Sequence, residues 1–269
     1  MRADLLLGLV CSLITALPLA WKWALGLRRA AMAVAIVSLS TGILVHLAGF
    51  DHALSTPLDI ATNWLLTMAA SFALLAYRFF RDPERNVPLT PNVVLSPADG
   101  EVLYVRRSRE GVLPVATKSG RSYTLQELTK TPLQTKEAVV IGIGMNFLDV
   151  HVNRAPIAGV IATKRHFPGR FGSLRRAEMV FQNERMTTIV ERDDLQVAVV
   201  QIASRLVRQI CSFVQLQQHV ERGERIGMIR FGSQVDLVLP ARPDLEITVR
   251  PGSRVTAGES IVAVQRRTR

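Results

Sequence analysis

Three apolar stretches near the N-terminus constrain this chain more than any other feature. Leu5 to Trp21, Ala30 to Phe50 and Ile60 to Tyr77 carry no Asp, Glu, Lys or Arg. A helix of about 20 apolar residues crosses a bilayer core of roughly 30 Å. The second stretch has that length; the first and third sit near the short limit, so the reading is two or three spans. The first does not read as a signal peptide, because Arg2 is balanced by Asp4 and no small-x-small cleavage site follows. Cys11 follows Val10 rather than a small residue, which argues against a lipoprotein site. Hydrophobic residues make up 48% of the 269 residues, and the excess is concentrated in these segments. His46 and His52 read as interfacial residues rather than ligands.

Charge sets the expected orientation. Lys22, Arg28 and Arg29 lie between the first two stretches, Asp51 and Asp59 between the second and third, and Arg78, Arg81 and Arg85 after the third. The positive-inside rule then places everything after Tyr77 in the cytoplasm, beneath the cell (inner) membrane. The net charge of +11 admits either nucleic acid or an anionic membrane surface as partner. Only 6% of residues are aromatic, and neither zinc-finger spacing nor an aromatic-rich RNA motif is present. The expected partner is therefore the membrane and not nucleic acid. Cys11 and Cys211 stand far apart in apolar surroundings, which suggests no disulfide framework and no metal site.

The character changes after about residue 80. The expected organisation is a transmembrane anchor over 1–80 and a second domain over 81–269. Pro83, Pro88, Pro91 and Pro97 mark a linker and then short elements. β-Rich runs follow at Glu101–Val105, Ala138–Ile143, Met186–Val190, Gln196–Ile202, Val235–Leu239, Leu245–Val249 and Ser260–Val264. Their spacing and Gly/Pro punctuation predict a mainly β domain, barrel or sandwich, with some α. Leu206, Val207, Ile210 and Phe213 fit either helix or strand. "MIRFGSQVDLVLP", Met228–Pro240, contains a Gly-Ser pair that either interrupts one strand or turns between two. Val235, Leu237 and Leu239 alternate there as in a half-buried strand.

Four stretches, in order, carry a resemblance. They are "FFRDPERNVP" after the last apolar segment, "SPADG" at Ser96–Gly100, "FLDVHVNRAPIAGVI" at Phe147–Ile161 and "GERIGMIRFGSQVDLVLP" at Gly223–Pro240. Together they resemble the short-form phosphatidylserine decarboxylase family, from about Phe79 to Val264. The resemblance implies a proenzyme cleaved between Gly232 and Ser233. Ser233 attacks the Gly232 carbonyl and ends as a pyruvoyl group, which forms a Schiff base with the substrate amine. No metal or diffusible cofactor is implied. The implied partners are a phospholipid substrate, the membrane and the two cleavage products held as a heterodimer, with further oligomerisation left open.

The same resemblance assigns roles to side chains. Asp99 in "SPADG" matches the family aspartate of an Asp-His-Ser arrangement, and His151 in "DVHVNRAP" is the histidine candidate. Long-form members carry a second histidine where this chain has Arg154, so His151 is open to self-cleavage, decarboxylation or both. Asn153 and Arg154 are the candidate contacts for the lipid phosphate. His166 and His219 read as structural. Gly172–Phe181 departs from the family's more polar run, which bears on substrate contacts, and Asn183–Arg185 returns to pattern. Two alternatives stand beside this reading. One is a decarboxylase of another serine-headed phospholipid, such as an archaetidylserine. The other is a non-catalytic membrane-anchored β adaptor, since "SPADGEVLYV" and "VTAGESIVAV" resemble the halves of a barrel-sandwich carrier domain.

Overall fold

A computed structural model describes residues 3–23, 25–47, 56–114, 122–135, 137–174, 176–193, 195–204, 209–230 and 233–266. It divides into two units, Met1–Arg81 and Asp82–Arg269. Asp51 and His52, used above, lie outside the described residues.

The first unit has three helices, Ala3–Lys22, Leu27–Leu47 and Thr56–Phe80, each long and apolar enough to cross a membrane. Lipid tails are as apolar as leucine, so such helices associate through small residues and interhelical hydrogen bonds. Here the seam centres on Asn63, which is almost fully buried. Thr41 Oγ1 donates to Asn63 Oδ1 at 2.8 Å and lies 3.0 Å from Thr67 Oγ1. Trp64 Nε1 donates to Thr15 Oγ1 at 3.2 Å. A Cβ at Gly8 would stand 2.7 Å from Asn63 Nδ2, so the glycine permits the close approach.

The second unit is built on an eight-stranded antiparallel sheet. Its order is His219–Val220, Gly159–Phe167, Arg185–Arg192, Leu195–Ala203, Ser233–Pro240, Ala138–Met145, Gly100–Arg107 and Arg254–Val255. A three-stranded sheet of Gln209–Ser212, Arg225–Arg230 and Val152–Arg154 adds a second layer, and a third sheet holds Val93–Leu95, Ile261–Gln265 and Leu245–Ile247. Each of the seven β-rich runs read from the sequence contains a strand, although Thr248, Val249 and Ser260 fall outside theirs. Ile210 lies in the strand Gln209–Ser212, whereas Leu206 and Val207 lie outside the described residues.

The strand Ser233–Pro240 differs from its half-buried expectation: it is buried on both faces. Val235, Leu237 and Leu239 join a core with Ile141, Ile143, Val197 and the second layer's Ile210, Ile226 and Ile229. Val238 packs on the other side with Val140, Val200, Ile202, Leu128 and Phe181. Each buried Val or Leu contributes about 1.5–3 kcal/mol by leaving water. The alternation was nonetheless present, because Gln234 and Asp236 occupy the second face and are themselves buried.

Gly159–Phe167 is a long strand that the periodicity does not reveal. Its second half reads Lys164-Arg165-His166, and those side chains sit on the solvated part of the strand. Two short helices, Leu125–Thr129 and Met179–Gln182, also lack a readable period. The first is set by a capping box in which Thr124 and Glu127 satisfy each other's backbone N–H groups.

Candidate active site

The strands that flank the Gly-Ser pair in sequence belong to different sheets. Strand Arg225–Arg230 is bonded within the three-stranded sheet, with Met228 opposite Val152 and Ile229 opposite Ile210. Strand Ser233–Pro240 then runs through the eight-stranded sheet, with Ser233 between Met145 and Ala203. The strands on either side of the pair therefore do not pair with each other as a hairpin. Phe231 and Gly232 lie outside the described residues, and of Ser233 the backbone alone is described.

Strand register brings the other candidates to the same end of the sheet. Gly144, beside Met145, pairs with both Gln234 and Glu101, so residues 99–101 begin where Ser233 begins. Gly100 makes that approach close: its φ is +152°, and a Cβ there would lie 2.3 Å from the Gly144 carbonyl oxygen. Asp99, one residue earlier, accepts from Arg85 Nη2 at 2.9 Å on both oxygens and from the Ala257 N–H at 2.8 Å.

His151 is fully buried at the head of strand Val152–Arg154. Its carbonyl accepts from the Ile229 N–H at 3.2 Å, so it is bonded to the strand that leads into Gly232. Its Nδ1 lies 2.8 Å from the Asp149 carbonyl oxygen. A carbonyl can only accept, so Nδ1 carries the proton and, in the neutral ring, Nε2 holds the lone pair. Asp149 is itself fixed, accepting from Asn146 N–H at 2.7 Å and from Arg254 Nη2 at 2.8 Å.

Asn153 and Arg154 take structural partners. Asn153 is buried and accepts at Oδ1 from Gln201 Nε2 at 2.8 Å. Arg154 donates to the Gly223 carbonyl at 3.0 Å, to Asp82 at 3.1 Å and to the Pro83 carbonyl at 3.0 Å. Its side chain is 5% exposed, so the guanidinium read as a phosphate contact is engaged by the chain's own acceptors. Burial, and then the neighbouring Arg225 charge, lower it from the ordinary arginine value. His166 bonds Glu184 at 2.9 Å and His219 lies 3.8 Å from Glu221. Among the described residues no group of three His, Cys, Asp or Glu is placed to hold a metal ion.

Three further features were not legible in the sequence. Asn183 Nδ2 donates to the carbonyls of Gly172 and Ala203, both at 2.9 Å, tying the divergent segment to the strand partner of Ser233. A cavity of about 450 Å³ opens there, lined by Lys130, Phe167, Arg170, Phe181, Asn183 and Arg185. The third is a buried polar cluster on the strand that Ser233 heads. Asp236 accepts from Tyr104 Oη at 2.8 Å and from Gln234 Nε2 at 2.7 Å. Burial pushes the Asp236 carboxyl up to about 6, against these two hydrogen bonds and the charges of Arg185 and Arg106.

That carboxyl makes stability depend on pH. Its folded pKa lies above the unfolded value near 3.8, so the folded state binds the proton more tightly. Its contribution is fully present below about pH 4 and lost as pH rises through about 6. The loss is about 3 kcal/mol for a shift of about two units. Urea unfolding of the detergent-solubilised chain should show this decline between about pH 4 and 6. Asp236→Asn, which keeps the shape and cannot titrate, should abolish it.

Three helices long and apolar enough to cross a membrane precede, in sequence, a mainly β unit in which the strands before and after the Gly-Ser pair lie in different sheets. The family model described as phosphatidylserine decarboxylase matches residues 72–263. A putative archaetidylserine decarboxylase proenzyme of Methanothermobacter thermautotrophicus is 38% identical over 194 residues, covering 71% of this chain and 82% of that protein. A phosphatidylserine decarboxylase proenzyme of Ralstonia nicotianae is 36% identical over 201 residues, covering 74% and 77%. One from Pelobacter propionicus is 37% identical over 202 residues, covering 74% and 81%. The chain belongs to the phosphatidylserine decarboxylase family and is a decarboxylase of that family.

Proposed function

We propose that this chain is a membrane-anchored, self-processing decarboxylase that converts phosphatidylserine to phosphatidylethanolamine and carbon dioxide. The observation that carries the reading is that strands Arg225–Arg230 and Ser233–Pro240, on either side of the Gly-Ser pair in sequence, lie in different sheets, with buried His151 bonded to the first of them. The Gly232 carbonyl and the Ser233 hydroxyl belong to adjacent residues of one chain, so the attack is intramolecular.

Self-cleavage then balances as follows. The Ser233 hydroxyl oxygen attacks the Gly232 carbonyl carbon, the amide nitrogen leaves, and an ester replaces the peptide bond. Loss of the Ser233 α-proton expels the Gly232 carboxylate. Water hydrolyses the remaining dehydroalanine, ammonia departs, and residue 233 is left as a pyruvoyl group. That ketone supplies an electron sink for the carbon that loses carbon dioxide. The residues around it suit the role. Residue 233 heads a strand bonded on both sides, so its new blocked end stays in place after the cut. His151 provides the proton traffic, through Nε2, and Asp149 fixes its ring. Asn153 and Arg154 brace this end of the fold. Lys130 and Arg170 draw the anionic headgroup to the cavity beside Asn183.

The product chains would remain together as a heterodimer. The segment after Ser233 pairs with Ala138–Met145 and Leu195–Ala203, and its later strands pair with Val93–Leu95 and Gly100–Arg107. The basic residues after the third helix support a cytoplasmic position for this unit by the positive-inside rule, so a reporter fused after Arg269 should be active in the cytoplasm and silent outside.

The deciding assay offers the purified chain labelled phosphatidylserine and labelled archaetidylserine and measures carbon dioxide release, with intact mass under denaturing conditions. Two fragments and release from phosphatidylserine are expected. Release confined to archaetidylserine selects the other lipid, and an uncleaved chain selects the adaptor.

A further inference from the structure

We propose that Arg85 is a positioning residue of self-cleavage that acts by holding Asp99, in a linker that ties the site together. This rests on the self-cleavage reading. The linker residues Asp82–Arg85 immediately follow the third apolar helix, and their side chains are committed to the β unit. Arg85 Nη2 bridges both Asp99 oxygens at 2.9 Å, with the two side chains only 10% and 14% exposed. Two and three residues earlier the chain is held again, as Arg154 Nη2 meets the Pro83 carbonyl and Asp82. Arg225 binds Asp82 and, at 2.7 Å, Glu84.

The positions of these partners give the linker its meaning. Arg225 begins the strand that ends just before Gly232, and Arg154 lies three residues from His151. Asp99 also accepts from the Ala257 N–H, which lies beyond the cleavage site in sequence. One carboxylate therefore joins the linker, the strand beginning at Gly100 and the chain downstream of Ser233. A mostly buried carboxylate needs a charged partner and fixed donors to keep one orientation. Arg85 is that partner. With Arg154 already committed to Asp82 and two carbonyls, Arg85 is the cation that sets where the Asp99 carboxylate stands.

The test is a cycle of Arg85→Ala, Asp99→Ala and the double variant, with Arg85→Lys as the charge-keeping replacement. Self-cleavage is followed as the appearance of two fragments in the detergent-solubilised full chain. Arg85→Ala should slow cleavage at least about 10-fold, and Arg85→Lys should recover most of that loss. Because Arg85 acts through Asp99, adding Arg85→Ala to Asp99→Ala should cost less than about 2-fold more. Arg225→Ala, which loosens the linker without touching Asp99, should leave the slowing unreproduced. Arg85→Gln keeps the stem and is scored in the same way should the alanine variant fail to accumulate. Parental cleavage in Arg85→Ala or Arg85→Gln overturns the proposal. So do multiplicative losses in the double variant, or Arg225→Ala as slow as Arg85→Ala. A parent chain that stays single refutes self-cleavage itself, and the proposal with it; that outcome is distinct from a parent that cleaves with Arg85 irrelevant.

Discussion

Ser233→Ala should remain one full-length chain and release no carbon dioxide. The expected effect is complete, because the hydroxyl both attacks Gly232 and, as the ester oxygen, departs with the Gly232 carboxylate in the elimination from which the pyruvoyl group forms. Nothing else in the segment substitutes for it: Gly232 has no side chain and Gln234 points its amide to Tyr104 and Asp236. The fold should survive, since Ser233 is held by backbone pairing with Met145 and Ala203, which alanine retains. A denaturing gel and intact mass on the membrane fraction report the outcome. Two fragments from Ser233→Ala would remove Gly232-Ser233 as the cleavage site. A single, well-folded chain that still decarboxylates would remove the pyruvoyl assignment.

His151→Ala has the second largest expected effect. Losing an acid–base partner typically costs about 10²–10⁴-fold in rate. His151 is fully buried, with Nδ1 on the Asp149 carbonyl and its own carbonyl bonded to Ile229 in the strand ahead of Gly232. Cleavage should slow without stopping, because the Gly232 carbonyl and the Ser233 hydroxyl still belong to adjacent residues. The cleaved fraction, isolated after long incubation and titrated with a carbonyl reagent, should then release carbon dioxide about 10²–10⁴-fold more slowly per pyruvoyl group. Asp99→Ala should do the reverse, slowing cleavage most and leaving the cleaved fraction partly active. Parental turnover per pyruvoyl in cleaved His151→Ala would show that the proton comes from another group.

The apolar segments, the seven strand runs and the order of four motifs were legible because each is local. A helix that crosses lipid needs only length and apolarity, and a strand between turns needs only alternation or β-branched residues. Gly159–Phe167 escaped because alternation disappears where Lys164, Arg165 and His166 line a half-solvated strand. Asp236 read as the polar face of a half-buried strand, and a buried carboxylate differs from an exposed one only in its partners. Tyr104 and Arg185, which decide the difference, are far away in sequence.

The sequence by itself determined that the chain has an apolar anchor, a mainly β domain and a Gly-Ser pair flanked by apolar strand residues. It also placed Asp99, His151 and Ser233 in motifs that belong to one family. Tertiary structure alone decided that the strands flanking the Gly-Ser pair lie in different sheets, that Arg154 bonds Asp82 and the Pro83 carbonyl, and that Arg85 is the partner of Asp99. The reason is physical. Hydrophobic period and turn chemistry act over a few residues, whereas hydrogen-bond partners of buried polar groups are chosen by strand register. Here that register sets Gly144 between Glu101 and Gln234, and so brings distant parts of the chain to one end of a sheet.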